Sequence, residues 1–183
     1  MRTAAFVLAV ATWLLAVPAA ARPEVTTNLA VTYGRRSAGA HGEGLFGLDL
    51  HAALLGDRES VSGFAAGGVV HVGGFDFAEL HAGVGGALLL PVVDSWPVVV
   101  EAFPVLVADA RGLRSGAAAR LFWGAHSFPR LGTYVLSFGI VLEARWLAAT
   151  GGRDEAVDLH VGLDIDAFSL LWPWMFLWEA IFG

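Results

Sequence analysis

VDLHVGLDID, residues 157–166, changes character at every step. Val157, Leu159, Val161, Leu163 and Ile165 are apolar, whereas Asp158, His160, Gly162, Asp164 and Asp166 are polar or glycine. A period of two belongs to a β-strand, whose successive side chains leave opposite faces; a helix would spread the same residues around its circumference. What remains to be decided is which face is wet. Directly after Asp166 comes AFSLLWPWMFLWEAIFG, in which Glu179 is the only charge.

The same alternation recurs along the chain. In Tyr134–Ala149 the even positions Tyr134, Leu136, Phe138, Ile140, Leu142 and Trp146 oppose Ser137, Gly139, Glu143 and Arg145. Val25–Gly34 sets Leu29, Val31 and Tyr33 against Thr26, Asn28 and Thr32, and Phe46–Leu54 sets Phe46, Leu48 and Leu50 against Gly47, Asp49 and His51. Asp76–Leu90 opposes Glu79 and His81 to Leu80 and Leu88, and Ala117–Ala125 opposes Arg120 to Leu121 and Trp123. Two weaker stretches complete a set of eight: glycine-rich Ser60–Val72, carrying His71, and valine-rich Pro97–Ala110, carrying Glu101 and Asp109. Pro104 has no N–H for a ladder, which predicts a bulge or an interrupted strand there. Turn-forming residues mark connections at 35–44, 56–59, 73–75, 91–96, 111–115, 126–132 and 151–155.

A soluble sheet buries its apolar face. Here the apolar faces are long and continuous, while the opposite faces offer Gly, Ala, Ser and isolated charges, which suit a narrow interior better than a solvated surface. Tyr134 and Trp146 share a face; at roughly 3.3 Å per residue and a tilt of about 40° they differ in height by roughly 30 Å, close to the spacing of two aromatic girdles. Trp96, Trp172, Trp174 and Trp178 extend that aromatic belt. Sheets in lipid must close, because open edges leave backbone groups unsatisfied. The reading is therefore an all-β, eight-stranded antiparallel up-and-down transmembrane β-barrel with a short C-terminal apolar helix.

Composition agrees. Hydrophobic residues make up 56% of the 183-residue chain and charged residues 15%, more apolar than an ordinary soluble domain. Beyond residue 21 no run of about 20 residues is apolar and uncharged as a membrane helix requires. The net charge of -6 argues against nucleic acid as a partner. The absence of cysteine excludes disulfides, thiolate nucleophiles and thiolate metal sites. Residues 1–21, with Arg2, an apolar stretch and Ala19-Ala20-Ala21, have the form of a cleaved secretory signal peptide. Residues 22–169 form the expected barrel. Residues 170–183 form an apolar, Trp-rich segment of about ten helical residues, with Pro173 in its first turn, lying at the interface.

The chain resembles the small eight-stranded outer-membrane barrels of Gram-negative bacteria, the OmpA/OmpX-like architecture. The resemblance is carried by the leader, the lack of cysteine and the eight alternating strands, not by a family motif. It departs in the shortness of the loops and in continuing past Phe168 rather than ending on a strand with a terminal aromatic. It implies an exported, monomeric protein of the outer membrane, partnered by outer-membrane lipid, with a structural or minor-permeation role and no catalysis. A soluble periplasmic barrel that binds an apolar ligand and a lipid-modifying outer-membrane enzyme are the alternatives.

The interior set comprises Asp49, His51, His71, Glu79, His81, Glu101, Asp109, Arg120, Glu143, Arg145, Asp158, His160, Asp164 and Asp166. The expected role is a structural polar network, with Arg145 beside Asp158 and His160 through the 151–155 turn. Two arginines face eight carboxylates, so protons, water or entering cations must balance the charge. Glu79, His81 and His160 offer metal-binding chemistry, but no spacing motif supports it, so neither metal nor cofactor is expected. Ser137 and the His126-Ser127 pair lack a triad spacing. The pairs Gly67-Gly68, Gly73-Gly74 and Gly85-Gly86 lack the strand–loop–helix setting of a phosphate loop. A side chain added at Gly162 would enter the interior, beside Asp164 if space permits, whereas one at Leu163 would meet lipid.

Overall fold

The computed structural model describes residues 23–38, 41–57, 63–93, 96–127 and 135–182. The expected leader and Tyr134 lie outside them. Eight antiparallel strands close into a barrel in chain order. They are β1 (Glu24–Ala38), β2 (His41–Leu55), β3 (Ala65–Phe75), β4 (Glu79–Val93), β5 (Trp96–Asp109), β6 (Gly112–His126), β7 (Ser137–Leu147) and β8 (Ala156–Asp166). A helix, α1 (Ala167–Phe182), follows β8 without a break. β8 pairs with β1 from Asn28↔Asp166 to Ala38↔Ala156, so the sheet has no open edge.

Every strand has the phase that its alternation predicts, and the apolar side faces out. In β7 Ser137, Gly139, Glu143 and Arg145 are buried, whereas Phe138, Ile140, Leu142 and Trp146 are exposed. In β8 Asp158, His160, Asp164 and Asp166 are buried, whereas Val157, Leu159, Val161 and Leu163 are 44–60% exposed. The barrel is inverted relative to a soluble one: charge inside, hydrocarbon outside.

Several strand ends differ from the sequence reading. Residues 35–38 and 41–44 are ladder, not loop, and the first connection shrinks to residues 39–40. Gly73–Phe75 belong to β3, and the turn moves to 76–78. There Asp76 and Phe77 take φ of 48° and 58°. Asp76 Oδ1 accepts a hydrogen bond from Phe46 N of β2 at 2.9 Å, a cross-strand bond that offsets part of the cost of a left-handed backbone. Pro104 neither breaks β5 nor bulges it. It pairs with Ala117 of β6, but the β4–β5 ladder is unmade opposite it, resuming in the same register at Gly83↔Val105 and Gly86↔Ala102. The proline turns its missing donor toward β4. The irregularity in that ladder falls instead between Leu90 and Val93.

The interior is a packed core, richer in large apolar groups than the sequence reading expected. One cluster, including Leu55, Val69, Leu89, Val99 and Phe122, fills the end that carries α1. A second, including Phe103, Val105, Val107 and Leu147, fills a different sector toward the opposite end. Glycine admits close backbone approach where strands need it. Gly124 and Gly139 face each other across β6 and β7, and a Cβ on either would overlap the other strand. A Cβ on Gly162 would overlap the Val31 carbonyl and Thr32, so this position has no room for the side chain that the sequence reading allowed conditionally.

Helix α1 starts at Ala167, three residues earlier than expected, because Asp166 caps it. The Asp166 carboxylate accepts from Ser169 N at 2.7 Å, the N-cap-to-N3 bond. Pro173 therefore lies in the helix interior rather than its first turn, where its lack of an N–H leaves one carbonyl of the preceding turn without a helical partner. The helix touches the barrel chiefly through β1 and β8, and Trp174, Leu177, Trp178 and Ile181 are exposed. Among the described residues no helix is long and apolar enough to cross a membrane.

Candidate functional site

The strand phase carries all of the predicted interior residues onto one surface, and most converge. Ala30 of β1 lies between Asp49 of β2 and Asp164 of β8 in the two ladders, and its small side chain leaves space for both carboxylates. Arg120 crosses from β6 to join them. Its Nη1 donates to Asp49 Oδ1 at 2.9 Å and its Nη2 to Asp164 Oδ2 at 2.5 Å, with the guanidinium fully buried. Glu101 and Glu143, which flank Arg120 in register, lie 3.8 and 3.9 Å from it. Asn28 completes this layer, donating to Asp164 Oδ1 at 2.6 Å and bonding Ser137.

Three histidines crowd Asp49. His71 Nδ1 is 3.0 Å from Asp49 Oδ1, and its Nε2 is 3.0 Å from Glu101 Oε2. His81 Nε2 is 2.7 Å from Asp49 Oδ2. His51, opposite His71 in register, has Nδ1 3.7 Å from Asp49 Oδ1 and Nε2 3.5 Å from Asp164 Oδ2. The His51 and His71 rings stack at 5.1 Å, and His71 stacks on Phe103 at 4.1 Å. His71, His81 and Arg120 hold the Asp49 carboxylate in this low-dielectric layer, and losing any one of them leaves its charge partly unpaired.

A second centre lies nearer the mouth opposite α1. Arg36 reaches Asp158 at 2.7 Å through Nε and Glu79 at 2.5 Å through Nη1. The expected Arg145–Asp158 pair does not form, although the two are register partners. Arg145 instead donates to Glu143 Oε1 at 2.6 Å and lies over the Phe75 ring at 4.4 Å, leaving Asp158 to Arg36. Arg36 was missed because residues 35–44 read as a turn. Its signal is that it continues the buried phase of Asn28 and Thr32. Arg114, missed for the same reason, donates to the carbonyls of Ala148 and Asp154.

The remaining predicted positions are more scattered. His160 is buried against Phe75 at 4.6 Å, and among the described residues Glu79, His81 and His160 do not come close enough together to form one ligand set. Asp109 sits at the mouth and pairs with Arg153. That mouth holds a cavity of about 470 Å³ lined by Arg36, Glu43, Glu79, Asp109, Arg114 and Arg153 among others. Asp166 is buried and caps α1. Ser137 bonds Asn28 and His126 lies 3.3 Å from Glu24, so neither is arranged as a nucleophile–base pair.

On the outer wall Trp96 packs on Trp123 at 5.8 Å, near the end carrying α1, and Trp146 sits toward the other end beside Val157. Trp123 is an addition to the aromatic set read from sequence; Trp174 and Trp178 are exposed on α1, and the Trp172 side chain lies outside the described residues. The sequence matches no protein-family model and none of the curated proteins.

Proposed function

We propose that this protein is a bacterial outer-membrane barrel with a structural role, in which the interior network specifies and locks the closed sheet. One observation carries the reading: a continuous outer band of Leu, Val, Ile, Phe and Trp surrounds a buried layer of paired charges. Its three shortest strands have 11 residues, which at about 3.3 Å each and a tilt of about 40° rise roughly 28 Å, enough to cross the roughly 25 Å apolar band of such barrels. Lipid is the partner that an apolar exterior of this extent requires. The side chains filling the middle of the barrel favour scaffold over conduit, so any permeation is minor.

The test is gel mobility of detergent-extracted protein before and after boiling, with the membrane fraction washed in alkaline carbonate. The expected result is retention in the membrane and a band that shifts on heating. Release into the wash as a detergent-free soluble protein would overturn the membrane reading.

A further inference from the structure

We infer that the barrel interior holds a divalent late first-row metal ion, with Asp49, His51 and His71 as its ligands. Their ligand atoms all lie within 4.8 Å of one another, and all three residues are buried. Asp49 Oδ1 stands 3.0 Å from His71 Nδ1 and 3.7 Å from His51 Nδ1. These two separations bracket the value of about 3.3 Å between ligands that a tetrahedral ion with bonds of about 2.0–2.1 Å requires, and the two imidazole nitrogens, within 4.8 Å of each other, close onto it by small ring rotations. Imidazole nitrogens select Zn²⁺ and its neighbours over Mg²⁺ or Ca²⁺.

Two further observations point to an ion rather than to a purely internal network. The first is what stands behind each histidine. His71 turns Nε2 to Glu101 at 3.0 Å and His51 turns Nε2 toward Asp164 at 3.5 Å, while both aim Nδ1 at the same carboxylate oxygen. A carboxylate on the far nitrogen is the arrangement that orients metal-binding imidazoles and fixes their tautomer. The second is an orphan: His51 Nδ1 is buried and has no hydrogen-bond partner among the described residues. A buried polar atom in that condition is costly, and an ion satisfies it.

Charge is balanced by the ion as well. Asp49, Glu101, Glu143 and Asp164 face Arg120, Arg145 and three histidines in this layer, and an ion on Nδ1 of His71 displaces the ring proton that now meets Asp49 and supplies the countercharge in its place. Arg120 Nη1 currently occupies Asp49 Oδ1; on ion entry its Nη2 keeps Asp164, and Glu143 Oε2 stands 3.9 Å from Nη1 to receive it. His81 remains on Asp49 Oδ2 and holds the carboxylate in place. Glu79 lines the mouth cavity, and His81, the next inward residue on its face of β4, bonds Asp49, so polar side chains succeed one another from the mouth to the site. The site depends on the interior of the barrel, not on where the barrel resides.

The experiment is calorimetric titration of ZnCl₂ into tag-free, detergent-folded protein, alongside His51→Ala, Glu101→Gln and, as a control remote from the cluster, His126→Ala. The expected result is one Zn²⁺ per chain, loss of binding in His51→Ala, roughly 10–100-fold weaker binding in Glu101→Gln, and no change in His126→Ala. Absence of binding by the parent protein, or equal binding by His51→Ala, overturns the site. Should His51→Ala fail to fold, the Co²⁺ absorption spectrum of the parent decides. Intense tetrahedral bands support the site, and the weak spectrum of octahedral Co²⁺ overturns it.

Discussion

Arg120 is the residue on which the interior turns. Its guanidinium is fully buried and bridges Asp49 and Asp164, which come from strands on opposite sides of β1. Removing one member of a buried pair leaves the other charge in low dielectric, a cost of about 3–5 kcal/mol. Arg120→Met is therefore expected to lower stability by about that amount, read as a shift of the urea midpoint for folding in detergent micelles. Arg36→Met removes a similar pair nearer the mouth, where water reaches more readily, and is expected to cost less. The inward direction of Arg120 was legible in the sequence, because the parity of a strand assigns each side chain to a face. Its choice of partners was not. Parity places Arg145 beside Asp158, yet the flexible side chain turns to Glu143 and Phe75 while Arg36 takes the aspartate. Local alternation says which side chains share an interior; packing decides which of them touch.

At the scale of elements, strand identity and phase followed from the sequence, and strand ends did not. Residues 35–38 resemble a turn by composition, but a two-residue connection lets the ladder continue through them, and pairing across two strands outweighs weak local propensity. The start of α1 was likewise hidden, since Asp166 serves both as the last inward residue of β8 and as the cap of the helix. The two faces of β8 make opposite predictions. Val161 lies midway along the strand and is 52% exposed on the apolar wall. Val161→Arg is expected to destabilise the barrel by about 2–4 kcal/mol in lipid vesicles. It should be nearly harmless if the wall faces water, so the urea midpoint in vesicles discriminates the two. Gly162→Ala, by contrast, strikes the β1 backbone and should destabilise the protein in micelles and vesicles alike.

At the scale of the molecule, the closed topology followed from counting strands, but the density of the interior did not. The sequence reading expected small residues around a few charges. The barrel instead carries apolar clusters toward its two ends with a charged layer containing Asp49, His71 and Arg120 between them. Eight strands leave room for side chains and little else. Planar-bilayer recordings are therefore expected to show no resolvable single-channel steps; steady channel-like openings at neutral pH would mean that the charged layer is not closed.

Seven of the eight ladders join neighbours in the chain, and only β1 with β8 joins its extremes. The bonds at that seam are among the most distant in sequence: Arg36 with Asp158, 122 residues apart, and Asn28 with Asp164, 136 apart. Loop-closure entropy makes such contacts the slowest to form. The order of assembly follows: hairpins accumulate first, and the seam shuts last, with its own polar latches meeting only then. Until that moment Asp158 and Asp164 lack their β1 partners, so the charges that steady the finished barrel also mark, in time, the instant at which it becomes one.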